Sequence, residues 1–197
     1  EHLEYVKIHT TERDYRAKRI TAYLNLIQEI IDKQIEEIKH EDFNTGKDII
    51  QYFEMLPEDS EIKKLYYKML ASQTHEKEKL QKQLRHLIIP GKIDVNIMTK
   101  LDKTNYDPDG NELATQFSDA LSALRGYANS NVKSSIVFSA GLNPRLFSYC
   151  ETFEDFYPDL KGTISKKIIL KVSDYRSALI QGKYLAKKGL WISEFRI

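Results

Sequence analysis

The sequence predicts an α/β fold in two parts: a mainly helical segment over residues 1–88, then parallel strands with alternating helices over residues 89–197. Three observations carry this reading. From Arg13 to Lys39 the apolar residues Tyr15, Ile20, Tyr23, Leu24, Ile27, Ile30, Ile31, Ile35 and Ile38 recur at helical spacings of three and four. Pro90-Gly91 is the clearest punctuation in the chain. Beyond it, short β-branched runs alternate with helical stripes, which is the pattern of a parallel sheet.

The elements follow in order. Leu3 to His9 alternates as a strand does, and the long helix then runs to Lys39. Asn44 or Thr45 caps a second, short helix that Pro57 ends. Glu58, Asp59 and Glu61 put negative charge at the start of a third, whose stripe thins out through Leu80, Leu84 and Leu87. Four strands are predicted at residues 93–98, 135–139, 167–172 and 190–196. Between the first two, residues 102–111 form a polar loop and Leu113 to Tyr127 a helix with Phe117, Ala120, Leu121 and Leu124 inward. The aromatic stretch Leu146 to Tyr157 is irregular or partly helical. The last two strands flank a helix that begins after Ser173 or Asp174 and ends at Gly189, making a βαβ unit.

Composition narrows the function classes. Thirty basic residues against 29 acidic ones give a net charge of +1, so there is no electrostatic footprint for nucleic acid or an anionic membrane. No apolar run is long enough to span a bilayer. The single cysteine, Cys150, forbids an internal disulfide and suits a reducing, cytoplasmic setting. It reads as a packed thiol. The five histidines are spread over the helical half, and none forms the i, i+4 pair of a helical zinc site. Asn105-Tyr106-Asp107-Pro108-Asp109-Gly110 has the spacing of the first half of a calcium loop. Its twelfth position is Gln116 and Pro108 stiffens it, so it reads as a polar turn.

Set end to end, IDVNIMTK, SSIVFSAG, KKIILKVSD and GLWISEF resemble consecutive strands of the TIM-barrel flavoenzymes of the nitronate monooxygenase type, and more loosely the FMN barrel of glutamate synthase. The matching pieces are Val95-Asn96-Ile97-Met98, Ser139-Ala140-Gly141, Lys171-Val172-Ser173, Ser177-Ala178-Leu179 and Lys188-Gly189-Leu190, within about residues 92–197. The family's glycine-rich turn with a histidine comes after the strand that here ends at Ile197. The resemblance therefore implies a partial TIM-barrel-like sheet in a fragment or divergent member of an FMN-dependent oxidoreductase family. It implies a small-molecule substrate, with residues 1–88 as an insertion or extension.

In a TIM barrel the chemistry sits at the C-terminal ends of the strands. On that basis the resemblance nominates Asn96, Ser139, Gly141, Lys171 and Glu194 for binding FMN. Two readings fit each side chain. Lys171 either faces the pyrimidine edge of the flavin, desolvated inside an apolar strand and paired with Glu194 without cofactor, or is an edge-strand lysine reaching water. Asn96 bonds the flavin ring or a neighbouring strand. Glu194 and Arg196 share a strand face and serve a substrate carboxylate or form a plain ion pair. A rival reading makes the chain a non-enzymatic interaction module whose amphipathic helices meet a protein partner or a second copy.

Overall fold

The computed structural model describes residues 6–139 and 141–197. These divide into two compact units, one of residues 1–28 with 92–197 and the other of residues 29–91. One boundary thus falls beside Pro90-Gly91, where the sequence punctuates. The other lies inside the first helix, so residues before Glu29 group with the β/α part rather than with the helical segment.

In the first unit four short strands form one parallel sheet: β1 (Asp94–Ile97), β2 (Ser135–Phe138), β3 (Lys167–Lys171) and β4 (Ile192–Arg196), adjacent in chain order. Around them lie the first part of α1 (Tyr15–His40), then α5 (Asp119–Ala128), α6 (Pro144–Cys150) and α7 (Tyr175–Ala186). All four helices contribute to one core, with Leu24, Leu124, Phe147 and Leu185 packed with Ile97, Ile136, Phe138, Ile168 and Leu170. Those strand residues share one sheet face by their alternation. The strand order never reverses, and the helices that join the core gather on one face of the sheet.

Close packing fixes how α1 meets α5. A side chain at Gly126 would put its Cβ 2.7 Å from the Ala17 carbonyl oxygen and 2.7 Å from Ile20 Cβ, so only glycine permits this approach. Thr21 Oγ1 completes the contact by donating to the Gly126 carbonyl at 2.9 Å. Residues outside α5 satisfy both of its ends. Asp102 Oδ1 accepts from the Ala120 amide at the start. At the far end Lys166, 4% exposed, donates to the carbonyls of Tyr127, Ala128 and Ser130 at 2.9, 2.6 and 2.7 Å. Burial lowers the pKa of this ammonium, and Asp155 at 3.3 Å partly offsets the effect.

The second unit is helical: the rest of α1, then α2 (Lys47–Glu54), α3 (Glu61–Ala71) and α4 (Thr74–Leu87). Its core stacks Phe43 on Phe53 and Phe53 on Tyr66, beside Met69 and Leu84. Buried Lys63 plays the part here that Lys166 plays in the other unit, donating to the Glu54 carbonyl at the end of α2 and to the Leu56 carbonyl just beyond it, at 2.7 and 2.9 Å. Among the described residues no helix is long and apolar enough to cross a membrane.

Several expectations change. Residues 6–9 are not strand, and Leu3, Glu4 and Tyr5 of that predicted strand lie outside the described residues. Neither Asn44 nor Thr45 caps α2: Gly46 holds the N-cap position, and Glu41 Oε2 accepts from the Asp48 and Ile49 amides at 3.0 Å each. Leu113 to Tyr127 is not one helix, because a 3-10 turn over Thr115–Phe117 precedes α5. In α1 the expected stripe is the less exposed side except at Tyr23, which is 55% exposed, while Ala17 and Gln28 are buried instead.

Candidate functional site on the open face of the sheet

The sheet face turned away from the helices is polar. In register across the four strands, Asn96 pairs with Val137, Val137 with Ile169, and Ile169 with Glu194. One row below begin Asp94, Ser135 and Lys167, and one row above Lys171 pairs with Arg196. Only Val137 and Ile169 are apolar, and both are buried although they lie outside the helix-facing core.

An ion pair shows the shape of this face. Arg196 Nη1 on β4 donates to Asp94 Oδ2 on β1 at 2.7 Å, although these strands lie at opposite sides of the sheet. Three interstrand steps of about 4.8 Å would set flat strands about 14 Å apart. Two side chains bridge that gap only if the sheet twists and curls toward this face, so the face is concave. A groove of about 360 Å³ lies toward the start of the strands, lined by Lys92, Asp94, Lys133, Lys167, Glu194 and Arg196 among others, and of the nominated residues only Glu194 lines it.

Four of the five nominated residues belong to this face, and they separate into three sets. Ser139 Oγ donates to Asn96 Oδ1 at 2.6 Å. That bond fixes the amide and leaves Asn96 Nδ2 as a donor without a partner among the described residues. Glu194 is held by Arg196 through two contacts, which keep its carboxyl below the usual range. Lys171 is exposed at the end of β3, and among the described residues its ammonium has no hydrogen-bond or ion partner. The expected desolvated Lys171 paired with Glu194 is therefore corrected on both counts. Alternation sends Lys171 to the open face, and the Glu194 carboxylate has a nearer cation two residues along its own strand. The buried lysine beside this strand is Lys166, which the apolar run did not mark because it precedes the strand.

Gly141 sits in the turn after β2 with φ of 136°, where a Cβ would lie 2.8 Å from Lys100 Cε. Thr99 Oγ1 donates to the Ser139 and Gly141 carbonyls at 2.8 and 3.0 Å, so the turns after β1 and β2 are stitched together. Ala140 lies outside the described residues. Sequence reasoning did not find Thr99 or Asp94. Thr99 follows the strand directly, and small hydroxyl residues there are the signal available.

The other sequence candidates have local duties. In the 105–110 loop, Asp107 Oδ1 accepts from the Asp109 and Asn111 amides at 3.0 and 2.8 Å, a turn-forming arrangement. Asn105 donates to the Phe117 carbonyl and to Asp119. Cys150 is fully buried, and burial pushes its thiol well above the ordinary range, which keeps it protonated.

No family model matches this chain, and neither curated proteins nor solved structures gave a match.

Proposed function

We propose that this chain is part of, or a divergent member of, a flavin-dependent oxidoreductase that holds FMN over the open, concave sheet face. The supporting observation is the parallel sheet with helices on one face and donors exposed on the other. Lys171 offers an ammonium there, and Asn96 an amide N–H whose direction Ser139 sets. These groups suit the pyrimidine edge of a flavin ring, whose carbonyls accept hydrogen bonds and which gains negative charge on reduction. Bound FMN would supply hydride or single-electron transfer at its N5.

The chain's own part is position and electrostatics. Lys171 opposes negative charge at the ring edge, and Asn96 donates to a ring carbonyl. The turns after β1 and β2, joined through Thr99, hold Asn96 and Ser139 at the strand ends. Glu194, committed to Arg196, stays ionised and shapes the groove floor instead of moving a proton.

The long helix favours this reading over a free interaction surface. Its apolar side is already used within the chain, Ile20 and Leu24 in one unit and Ile35 and Ile38 in the other. The test is direct. Purified protein titrated with FMN should quench flavin fluorescence saturably, and Lys171→Met should weaken that binding about tenfold, the loss of one charge-assisted contact. A colourless protein with no saturable FMN binding would remove the proposal and leave the interaction module as the better reading.

A further inference from the structure

A second cavity lies apart from the sheet's open face. It has a volume of about 400 Å³, within the range of small-molecule sites, and sits between the turn that leads into α1 and the loop that follows β1. Tyr15, Tyr106, Pro108, Leu113 and Phe117 give it a largely apolar wall.

Its charges are almost all committed. Asp14 takes φ of 59°, a left-handed conformation that a short polar residue tolerates, and Arg125 grips its two oxygens at 2.6 and 2.5 Å. Arg16 is held by Asp119 at 2.6 Å, and Glu12 by Lys18 at 3.0 Å. Asp107 turns its carboxylate into its own loop, where it accepts from the Asp109 and Asn111 amides and the Asn111 side chain. Arg13 is the exception. Its guanidinium lies 6.0 Å from the Phe117 ring centre and has no carboxylate partner among the described residues.

We propose that this cavity binds a small organic monoanion with a flat apolar body, such as an aryl carboxylate. Arg13 takes the carboxylate, and Phe117 and Tyr106 take the ring. An ion pair with Arg13 suits a planar two-oxygen acid, because the guanidinium presents paired N–H donors. The proposal does not depend on FMN or on the sheet's open face.

Benzoate, benzamide and acetate are the probes, titrated into the isotopically labelled protein and followed by amide chemical shifts. Benzoate should saturate with a Kd on the order of 1 mM, as suits so small a ligand. The shifts should centre on residues 10–16 and 105–117. Benzamide lacks the charge and acetate the ring, so each should bind about tenfold more weakly or worse. Arg13→Gln, at an exposed position, should keep the spectrum elsewhere and lose about tenfold in benzoate affinity. Benzoate without saturation, benzamide equal to benzoate, shifts centred elsewhere, or an indifferent Arg13→Gln would each overturn the proposal. The comparison of probes on the unaltered protein stands even if the variant were to misfold.

Discussion

The two faces of the sheet are built from alternate residues of the same four strands, and they differ in almost every respect. Ile97, Ile136, Phe138, Ile168 and Leu170 face the helices and join one continuous core. Their immediate neighbours Asn96, Val137, Lys167, Ile169 and Lys171 face the other way. There the surface is mostly polar, and a long Arg196–Asp94 bridge lies across it. Parallel sheets are ordinarily covered on both faces. One that leaves a curved, donor-rich face open has that face free for a ligand or for further structure.

The contrast is open to direct test, and the largest effect should come from neighbours on β2. Phe138 is 1% exposed on the helix side, so Phe138→Ala should destabilise the protein by about 3–5 kcal/mol through lost burial and a cavity. Val137→Ala, one residue away on the open face, should cost about 1 kcal/mol. Equal losses in denaturant unfolding would mean that both faces belong to one core.

Two of the three lysines in the third strand region come next. Lys166→Met strands three carbonyls without their donor and should cost about 3 kcal/mol. Lys171→Met removes an exposed charge that has no partner among the described residues, and it should change stability by no more than about 0.5 kcal/mol. A matching loss at both positions would place Lys171 in the interior after all.

A smaller effect should appear at the α1–α5 crossing. Gly126→Ala drives a methyl group against the Ala17 carbonyl and Ile20, for an overpacking penalty of about 1–3 kcal/mol. A stabilised protein would show that the helices separate easily, and with them the support of the covered face.

The smallest effect is a pH dependence at the start of α7. Asp174 accepts from the Ser177 amide at 2.7 Å, and that bond is the main cause holding its carboxyl below its ordinary value. A lowered folded pKa means the cap contributes fully above about pH 4 and is lost as pH falls through the lowered value. The Ser177 amide resonance should follow that titration, and Asp174→Asn should flatten it. A Ser177 shift that titrates unchanged in Asp174→Asn would assign the proton to another group.

What could be read from the residues alone was whatever depends on short-range repetition. The four strands, the long helix and the break at Pro90-Gly91 are periodic or punctuated features, and each occupies one stretch of chain. The strand alternation also put Asn96 on the face opposite Val95 and Ile97, and Glu194 on one face with Arg196, before any fold was known. Capping was legible where the cap is local, as at Asp174 with Ser177. It was not legible where the cap arrives from outside the helix, as Glu41 does for α2 and Asp102 for α5.

Tertiary structure decided the rest, because those features join residues far apart in sequence. Arg125 meets Asp14 across 111 positions and Arg196 meets Asp94 across 102. No local pattern encodes either distance. The same holds for burial. Lys166 and Lys171 are the same residue type five positions apart, and only the placement of the end of α5 beside Lys166 makes one a buried helix cap, while the other has no partner among the described residues. The sequence by itself determined most of the segments that become strand or helix, because backbone preference and apolar period act over a few residues. Which side chains gather into a site was settled by packing, which acts between elements that the chain brings together only once folded.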